Sequence, residues 1–268
     1  MNVTTKSSRR QAIRGSILNF LDDPAAGDRD GSHEYYEDGL LIVEDGYIAK
    51  IGSAQELLPT VTRATTLTDC SGKLIVPGFI DAHVHFVQTD IIGSYGRRLL
   101  EWLEQYTFPA ERAFADPRHA QEVAEFFIAE LLRNGTTTAL VLGSVHPGSV
   151  DAIFAAAAAR GMRLIAGKVM MDRNCPADLK DTAESSYADS LELIERWHGR
   201  ERMQYAITPR FAVSSTPAQL AAAGRLAREH PDVYIHTHVA ENEEEVARVR
   251  ELYPGRRSYL DVYDHYGL

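Results

Sequence analysis

The 268-residue sequence predicts an α/β fold: a TIM-type (β/α)8 barrel, with about five βα units at residues 76–268, behind a small N-terminal β-sandwich domain at residues 1–75. Two observations predict the barrel. After residue 74, five apolar stretches without polar alternation are separated by helical stretches, which is typical of parallel strands buried on both faces. His, Arg and Glu residues follow these stretches, and the active sites of β/α barrels lie at the carboxyl ends of the strands.

The N-terminal domain is predicted from short strand-like pieces at residues 13–75, which are broken by turn residues. The pair Asp45-Gly46 lies between LLIVE and YIAKIG, and a two-residue turn of this type favours a β-hairpin because it accepts positive φ angles. We therefore expect antiparallel pairing on both sides of Asp45-Gly46.

The barrel strands are predicted in five segments: LIVPGFIDAHVHF, TTTALVLGS, RLIAGKVMM, QYAITPRF and VYIHTHVAE. Helices are expected in LLEWLEQYTF, at 116–133, and near 149–160, 182–198, 216–230 and 242–252. Asn134-Gly135 is a typical helix end, since glycine accepts the left-handed conformation of a C-terminal cap. Five strands also fit an open doubly wound sheet, but neither G-x-G-x-x-G nor G-x-x-x-x-G-K-[ST] follows the first strand, which favours the barrel.

The composition excludes several classes of partner. The net charge of −10 disfavours binding to a nucleic acid, because a phosphate backbone requires a clustered basic surface. No apolar run approaches the roughly 18 residues that cross a membrane. The only cysteines are Cys70 and Cys175, too few for a disulfide framework, so a cytoplasmic location is expected. The first fifteen residues contain basic residues without a following apolar segment, so a secretory signal is not predicted.

Two histidine pairs carry the strongest chemical signal. His83 and His85 are two positions apart on a predicted strand, so their side chains project from one face, and His236 and His238 repeat this spacing. An isolated histidine is usually a hydrogen-bonded structural residue, but two such pairs at strand ends favour a zinc site, because zinc binds imidazole nitrogen. Glu241 follows three residues after His238. Asp81 has two open interpretations, a structural role or an acceptor for a ligand histidine, and His236 supports a zinc ligand in the interpretation we favour.

The motif P-G-F-I-D-A-H-V-H resembles the first-strand signature of the amidohydrolase superfamily of metal-dependent hydrolases. The segments LLEWLEQYTFPAE, RNGTTTALV, GKVMMDRN, ITPRF and HTHVAEN are similar to those of the guanine deaminase family, over nearly the whole chain. The resemblance implies one Zn²⁺ per subunit, guanine and water as substrates, xanthine and ammonia as products in purine catabolism, and a homodimer. It also implies roles for seven residues: zinc binding by His83, His85 and His238, proton transfer by Glu241, and guanine binding by Gln88, Arg210 and Phe211.

The chemistry of these residue types agrees with that resemblance. An arginine fork donates to the adjacent O6 and N7 acceptors of guanine, and it would reject adenine, which has an amino group in place of O6. An aromatic ring such as Phe211 stacks on a base. Without the resemblance, a surface ion pair for Arg210 and a core position for Phe211 are the ordinary interpretations. Gln88 is assigned from the resemblance alone.

The resemblance also implies parts that this sequence lacks. Family members continue with three further βα units, which carry another histidine and a zinc-binding aspartate. We therefore expect this chain to correspond to the N-terminal portion of such an enzyme, to expose open sheet edges, and to be poorly active by itself. Two other hypotheses remain: a related amidohydrolase acting on another purine, a triazine or a cytosine, and an inactive binding form.

Overall fold

The computed structural model describes residues 10–23, 31–96 and 98–268. The chain divides into two compact units, Met1–Gly78 and Phe79–Leu268. Within the described ranges, every helix is too short or too polar to cross a lipid bilayer.

The first unit is built on one mixed four-stranded sheet with the order β3-β2-β1-β4. Its strands are β1 (Arg10–Phe20), β2 (His33–Glu44), β3 (Tyr47–Ser53) and β4 (Thr66–Ile75). Strand β2 pairs antiparallel with β1 and β3, whereas β1 and β4 are parallel. A short helix, α1 (Ala54–Leu57), and a 3-10 turn at Leu58–Thr60 follow β3. The described residues of this unit contain one sheet, whereas the sandwich predicted from the sequence would need a second sheet packed against it.

The predicted hairpin is confirmed at the turn between β2 and β3. Asp45 and Gly46 have φ angles of 51° and 87°, the paired positive values of a type I′ turn. The apolar face of the sheet is small: Ala12, Leu40, Ile42 and Ala54 are fully buried and pack together.

The second unit contains five consecutive parallel strands and one short additional strand. The strands are β5 (Phe79–His85), β6 (Thr136–Leu142), β7 (Arg163–Gly167), β8 (Val169–Met170), β9 (Met203–Pro209) and β10 (Tyr234–Ile235). Their order is β10-β9-β7-β6-β5, with β8 also paired to β9. Every pairing is parallel, as predicted. Because each main strand lies beside its predecessor, the sheet follows the succession of a barrel and lacks the reversal of a doubly wound fold.

Helices connect these strands and cover the sheet. They are α2 (Leu99–Trp102), α3 (Phe108–Arg112), α4 (Pro117–Arg133), α5 (Pro147–Ala159), α6 (Ala183–Trp197), α7 (Pro217–Glu229), α8 (Glu243–Leu252) and α9 (Tyr259–Tyr266). The segment LLEWLEQYTF is helical as predicted, but a π-helical stretch at Leu103–Thr107 separates α2 from α3. Such stretches occur frequently at functional sites. Helix α9 was not predicted from the sequence.

Helix α4 has the boundaries that its terminal residues indicate. The Asp116 carboxylate accepts a hydrogen bond from the backbone N–H of Arg118, which satisfies a free donor of the first turn. After the last turn, Gly135 has a φ angle of 86°, as expected of a C-terminal cap. Strand β6 begins at the next residue, so this cap sets where the second main strand enters the sheet.

The fifth main strand is shorter than predicted. Regular pairing in β10 covers only Tyr234 and Ile235, so His236 and His238 lie beyond the strand. They still follow β9, because the His236 N–H donates to the Ile207 carbonyl at 2.9 Å and the His238 N–H donates to Arg210 at 3.2 Å. Regular pairing of β10 with β9 ends opposite Ile207, and Pro209, two residues further along β9, has no N–H to donate to a neighbouring strand.

Both edges of the five-strand sheet expose apolar side chains. Ile80 of β5 is 73% exposed, and Tyr234 and Ile235 of β10 are each 41% exposed. Within the described part of the chain, each of these strands pairs on one side only. The open edges expected from the sequence are therefore present in the structure.

Candidate active site

Strand β5 places the first histidine pair. Its pairing with β6 is in register at Asp81 with Ala139 and again at Val84 with Val141, so β5 contains one extra residue over this interval. A bulge of this kind redirects side chains and is common next to active sites. The ring centroids of His83 and His85 are 5.4 Å apart. The strand and its bulge thus hold the two imidazoles side by side.

His238 completes a cluster of three imidazoles. Its ring centroid is 4.7 Å from that of His83 and 5.0 Å from that of His85. One ring nitrogen from each of the three lies within 4.8 Å of the others, and the Nε2 atoms of His85 and His238 are 2.9 Å apart. Converging imidazole nitrogens are the ligands that zinc, copper, iron and nickel prefer, so this donor set fits a transition-metal ion.

The electrostatics of the cluster favour the neutral imidazole, which is the form that binds a metal. Burial, more than any other cause, lowers the pKa of His238 to about 4 and that of His85 well below its ordinary value. Burial also lowers the pKa of His83, although the nearby Asp81 carboxylate partly opposes this change. At neutral pH these side chains are therefore uncharged and offer a lone pair.

The tautomer of His238 is fixed by the backbone. Its Nδ1 lies 2.7 Å from the carbonyl oxygen of Arg210. A carbonyl oxygen accepts hydrogen bonds and cannot donate them, so Nδ1 carries the proton and Nε2 carries the lone pair. Fixing the second ring nitrogen in this way is the usual means of orienting a metal-binding histidine.

His236 contacts His83 from outside the three-histidine cluster. Its Nε2 is 2.8 Å from His83 Nδ1, and burial lowers the pKa of His236 to about 3. The side chain is 6% exposed, and its Nδ1 has no hydrogen-bond partner among the described residues. This geometry accords with the supporting position expected from the sequence.

Glu241 lies beside the cluster. One of its carboxylate oxygens is 3.8 Å from His238 Nε2. Burial and the nearby Glu245 carboxylate raise the pKa of Glu241, although Arg210 partly opposes this change. A carboxyl group with a raised pKa exchanges protons more readily near neutral pH.

The backbone around Glu241 is held by residues that the sequence did not single out. Ala240 has a φ angle of 57°, an uncommon value for a residue with a Cβ atom. The Glu241 N–H donates to the Glu245 carboxylate at 2.9 Å, and the Tyr259 hydroxyl donates to the same carboxylate at 2.5 Å. Glu245 is buried, unlike Glu243 and Glu244, so it anchors the Glu241 loop in addition to lying in the first turn of α8.

Arg210 and Phe211 follow the end of β9. Both are buried, and Arg210 forms an ion pair with Glu111 of α3, whose two carboxylate oxygens each lie 2.8 Å from its Nη1. Gln88 is on the 3-10 turn at Phe86–Ile91 that follows β5. The ordinary interpretation of Arg210 as a surface ion-pair residue is therefore wrong, because its partner is buried.

One cavity unites the predicted residues. Its lining includes all seven: His83, His85, Gln88, Arg210, Phe211, His238 and Glu241. Leu99, Trp102 and Leu103 also line it and add an apolar wall. The cavity thus combines possible metal ligands, a carboxylate, an arginine and an aromatic ring, which is the composition of a site for a polar ring-shaped molecule.

The structure also bears on Asp81, for which the sequence left two interpretations open. The Asp81 carboxylate accepts a hydrogen bond from the His83 backbone N–H at 3.1 Å, a local contact that agrees with its structural interpretation.

Sequence reasoning missed Glu111, Ala240, Glu245 and Tyr259. A buried acid in an otherwise partly apolar helix could have drawn attention to Glu111, but its partner lies 99 residues away. The remaining three have no local sequence signal, because alanine seldom adopts positive φ and the Tyr259–Glu245 contact joins two separate helices.

Comparison with known proteins decides the family. The amidohydrolase family profile matches residues 74–268. This chain belongs to the amidohydrolase family, whose members are metal-dependent.

Several amidohydrolases are closely similar to this chain. Guanine deaminase of Escherichia coli (strain K12) is 51% identical over 261 residues, which cover 96% of this chain and 59% of that protein. The solved structure of the E. coli guanine deaminase has a TM-score of 0.92 and covers 96% of this chain and 60% of that one. Probable guanine deaminase of Deinococcus radiodurans is 45% identical, over 87% of this chain and 54% of that protein.

A solved guanine deaminase from C. acetobutylicum has guanine bound in its active site. It is 28% identical, has a TM-score of 0.85, and covers 97% of this chain and 60% of that one. The amidohydrolase chain described here thus spans between half and two thirds of the length of the relatives it matches.

Proposed function

We propose that this amidohydrolase acts in the zinc-dependent hydrolytic deamination of guanine to xanthine and ammonia. The observation that carries the proposal is the single cavity that all seven predicted site residues line. The similarity to guanine deaminases supports the choice of substrate.

The metal in this proposal is one Zn²⁺ per subunit, held by His83, His85 and His238. Three neutral imidazoles with convergent nitrogens suit zinc, and the His238 tautomer leaves its Nε2 free to bind. When bound, zinc would lower the pKa of a water molecule towards about 7 and so supply a nucleophile at neutral pH.

Glu241 is the proposed proton carrier. The reaction adds the oxygen of water to C2 of guanine and breaks the bond from C2 to the amino nitrogen. Glu241 would accept a proton from the attacking water, deliver it to N3, and assist departure of the amino group as ammonia. Its raised pKa and its position beside His238 support this role.

Arg210, Phe211 and Gln88 are the proposed guanine-binding residues. The Arg210 guanidinium would donate to O6 and N7, the Phe211 ring would pack on the base, and the Gln88 amide would contact the purine edge. An adenine ring would place an amino donor against Arg210, so this arrangement favours guanine.

The test is to incubate the purified, zinc-loaded protein separately with guanine, adenine, cytosine and an amino-substituted triazine, and to measure ammonia and the deaminated ring by mass spectrometry. We expect slow formation of xanthine from guanine, in keeping with the poor activity expected of this chain by itself, and an Arg210→Met variant with strongly reduced turnover. If the protein instead turned over cytosine or the triazine preferentially, that compound and not guanine would be its substrate. Failure to turn over any of the four would contradict the proposed activity.

A homodimer in the cytoplasm is part of the same proposal. The family resemblance supports the dimer, and the two cysteines, both unpaired, accord with a reducing compartment. Light scattering on the purified protein tests the dimer, since a monomeric mass at micromolar concentration would contradict it.

A further inference from the structure

Glu111 is a buried carboxylate in contact with the proposed guanine-binding arginine. It is fully buried on α3, and its two oxygens each lie 2.8 Å from Arg210 Nη1. Arg210 is only 3% exposed, and its guanidinium carbon lies 5.5 Å from the centre of the Phe108 ring. Glu111 does not line the cavity itself, so it acts on a ligand only through Arg210.

The charge state of this pair follows from the arginine. A guanidinium remains protonated in proteins, and a buried guanidinium without a counter-charge is strongly destabilising. Burial raises the pKa of Glu111, while the guanidinium opposes that change. An ionised Glu111 carboxylate in contact with the guanidinium compensates its charge, so that the pair has no net charge.

The geometry leaves part of the arginine fork for a ligand. Only Nη1 donates to Glu111, and Nε and Nη2 donate to no acceptor in the described part of the chain. Because Arg210 lines the cavity, these donors suit a ring with adjacent acceptors. Glu111 thus fixes the side chain at one end and compensates its charge.

We propose that Glu111 is a positioning residue that, through Arg210, makes the site select an uncharged 6-oxopurine over an anionic one. This inference rests on the proposed function and adds the charge class of the ligand. Glu241 is a second carboxylate that interacts with Arg210, and removing the Glu111 charge makes the site more positive by one charge whatever the state of Glu241. A more positive site attracts anions more strongly.

Charge selection has a consequence for turnover. Guanine is neutral near neutral pH, whereas xanthine is more acidic and is partly anionic there. The compensated arginine therefore favours binding of the substrate over retention of the product. Without the Glu111 charge, the product anion would be held more tightly.

The experiment compares wild type, Glu111→Gln and the control Glu104→Gln, which makes the same change at an exposed position in the same helical segment. Dissociation constants are measured for hypoxanthine and xanthine at a mildly alkaline pH, where hypoxanthine is mostly neutral and xanthine mostly anionic. In Glu111→Gln, the ratio of affinities should shift towards xanthine by roughly tenfold or more. In Glu104→Gln the ratio should match wild type.

An unchanged ratio in a folded Glu111→Gln protein would overturn the inference. If Glu111→Gln does not fold, Glu111→Asp tests the inference instead, because it keeps the charge but shortens the side chain. Both ligands should then bind more weakly with their ratio unchanged, and a shift towards xanthine would overturn the inference. Wild-type protein that neither binds hypoxanthine nor deaminates guanine would instead refute the proposed function itself.

Discussion

The Nδ1 atom of His238 donates a hydrogen bond to the backbone carbonyl of Arg210 across 2.7 Å. This contact joins a candidate metal ligand to a candidate substrate-binding residue. It fixes the His238 tautomer, and it couples the end of β9 to the segment after β10. The proposed metal and purine sites therefore depend on the same pairing of neighbouring chain segments.

His238→Asn should weaken zinc binding by at least roughly 100-fold, because it removes one of three convergent imidazoles. Isothermal titration of the metal-free protein with zinc measures this directly. His265→Asn is the matched control, since His265 is exposed on α9 and is not one of the three clustered imidazoles. Equal zinc affinity in the two variants would exclude His238 as a ligand.

His236 should influence zinc binding through His83. For His83 Nε2 to bind a metal, its Nδ1 must carry the proton and donate to His236 Nε2. His236→Phe removes the acceptor and should weaken zinc binding by about 10- to 100-fold. His236→Gln keeps a hydrogen-bond acceptor, so its zinc affinity should fall less than that of His236→Phe. An equal loss in both variants, measured by the same titration, would indicate a packing effect only.

Glu241→Gln should lower kcat for guanine deamination by about 10²- to 10⁴-fold, because the side chain can no longer carry a proton. Zinc content, measured by atomic absorption, should remain that of wild type. Glu243→Gln, an exposed change in the first turn of α8, is the control and should keep its activity. A Glu241→Gln enzyme with wild-type kcat would refute the assigned role.

Substitutions at Ala240 should change the stability of the protein according to how well each residue tolerates a positive φ angle. Ala240→Gly should maintain or raise the unfolding temperature, because glycine adopts positive φ without steric strain. Ala240→Val should destabilise the protein by about 1–3 kcal/mol, because a β-branched residue is poorly tolerated there. Thermal unfolding followed by circular dichroism distinguishes the variants. Equal melting temperatures would mean that this backbone conformation is absent in solution.

The metal-free protein should lose stability as the pH falls from 7 to 5. The folded-state pKa of His238 is about 4, below its ordinary value of 6.5, so the unfolded chain binds more protons between these values. The stabilising contribution is complete above pH 6.5 and is lost as the pH falls towards 4. His238 accounts for about 2 kcal/mol between pH 7 and 5. The free energy of unfolding is measured by denaturant titration of chelator-treated wild type and His238→Asn at pH 7 and pH 5. Its change between the two pH values should be smaller in His238→Asn than in wild type.

Local patterns predicted much of the fold. Asp45-Gly46 predicted the hairpin, Asn134-Gly135 predicted the C-terminal end of α4, and the succession of apolar stretches predicted the parallel sheet. These features depend on residues close together in the sequence. The shortness of β10 was not predictable in this way, because it depends on how far this segment pairs with β9.

In the candidate site, too, residues with a local sequence pattern were predicted and residues placed by distant contacts were not. Strand periodicity brought His83 and His85 together in the prediction, and the repeated spacing drew attention to His238. Glu111 has no such signal, because its importance comes from a buried contact with a residue 99 positions away. Ala240 was also missed, since its conformation is set by the surrounding hydrogen bonds of Glu241 and not by its own type.

The most direct test of the proposed function is ammonia release from guanine, measured as zinc is added back stepwise to metal-free protein, with His83→Ala as the comparison. We predict that ammonia and xanthine form in equal amounts, that the rate rises until one zinc is bound per chain, and that His83→Ala is inactive at the same zinc concentrations. Activity that is independent of zinc, or equal in His83→Ala, would contradict the proposed metal site and the mechanism built on it.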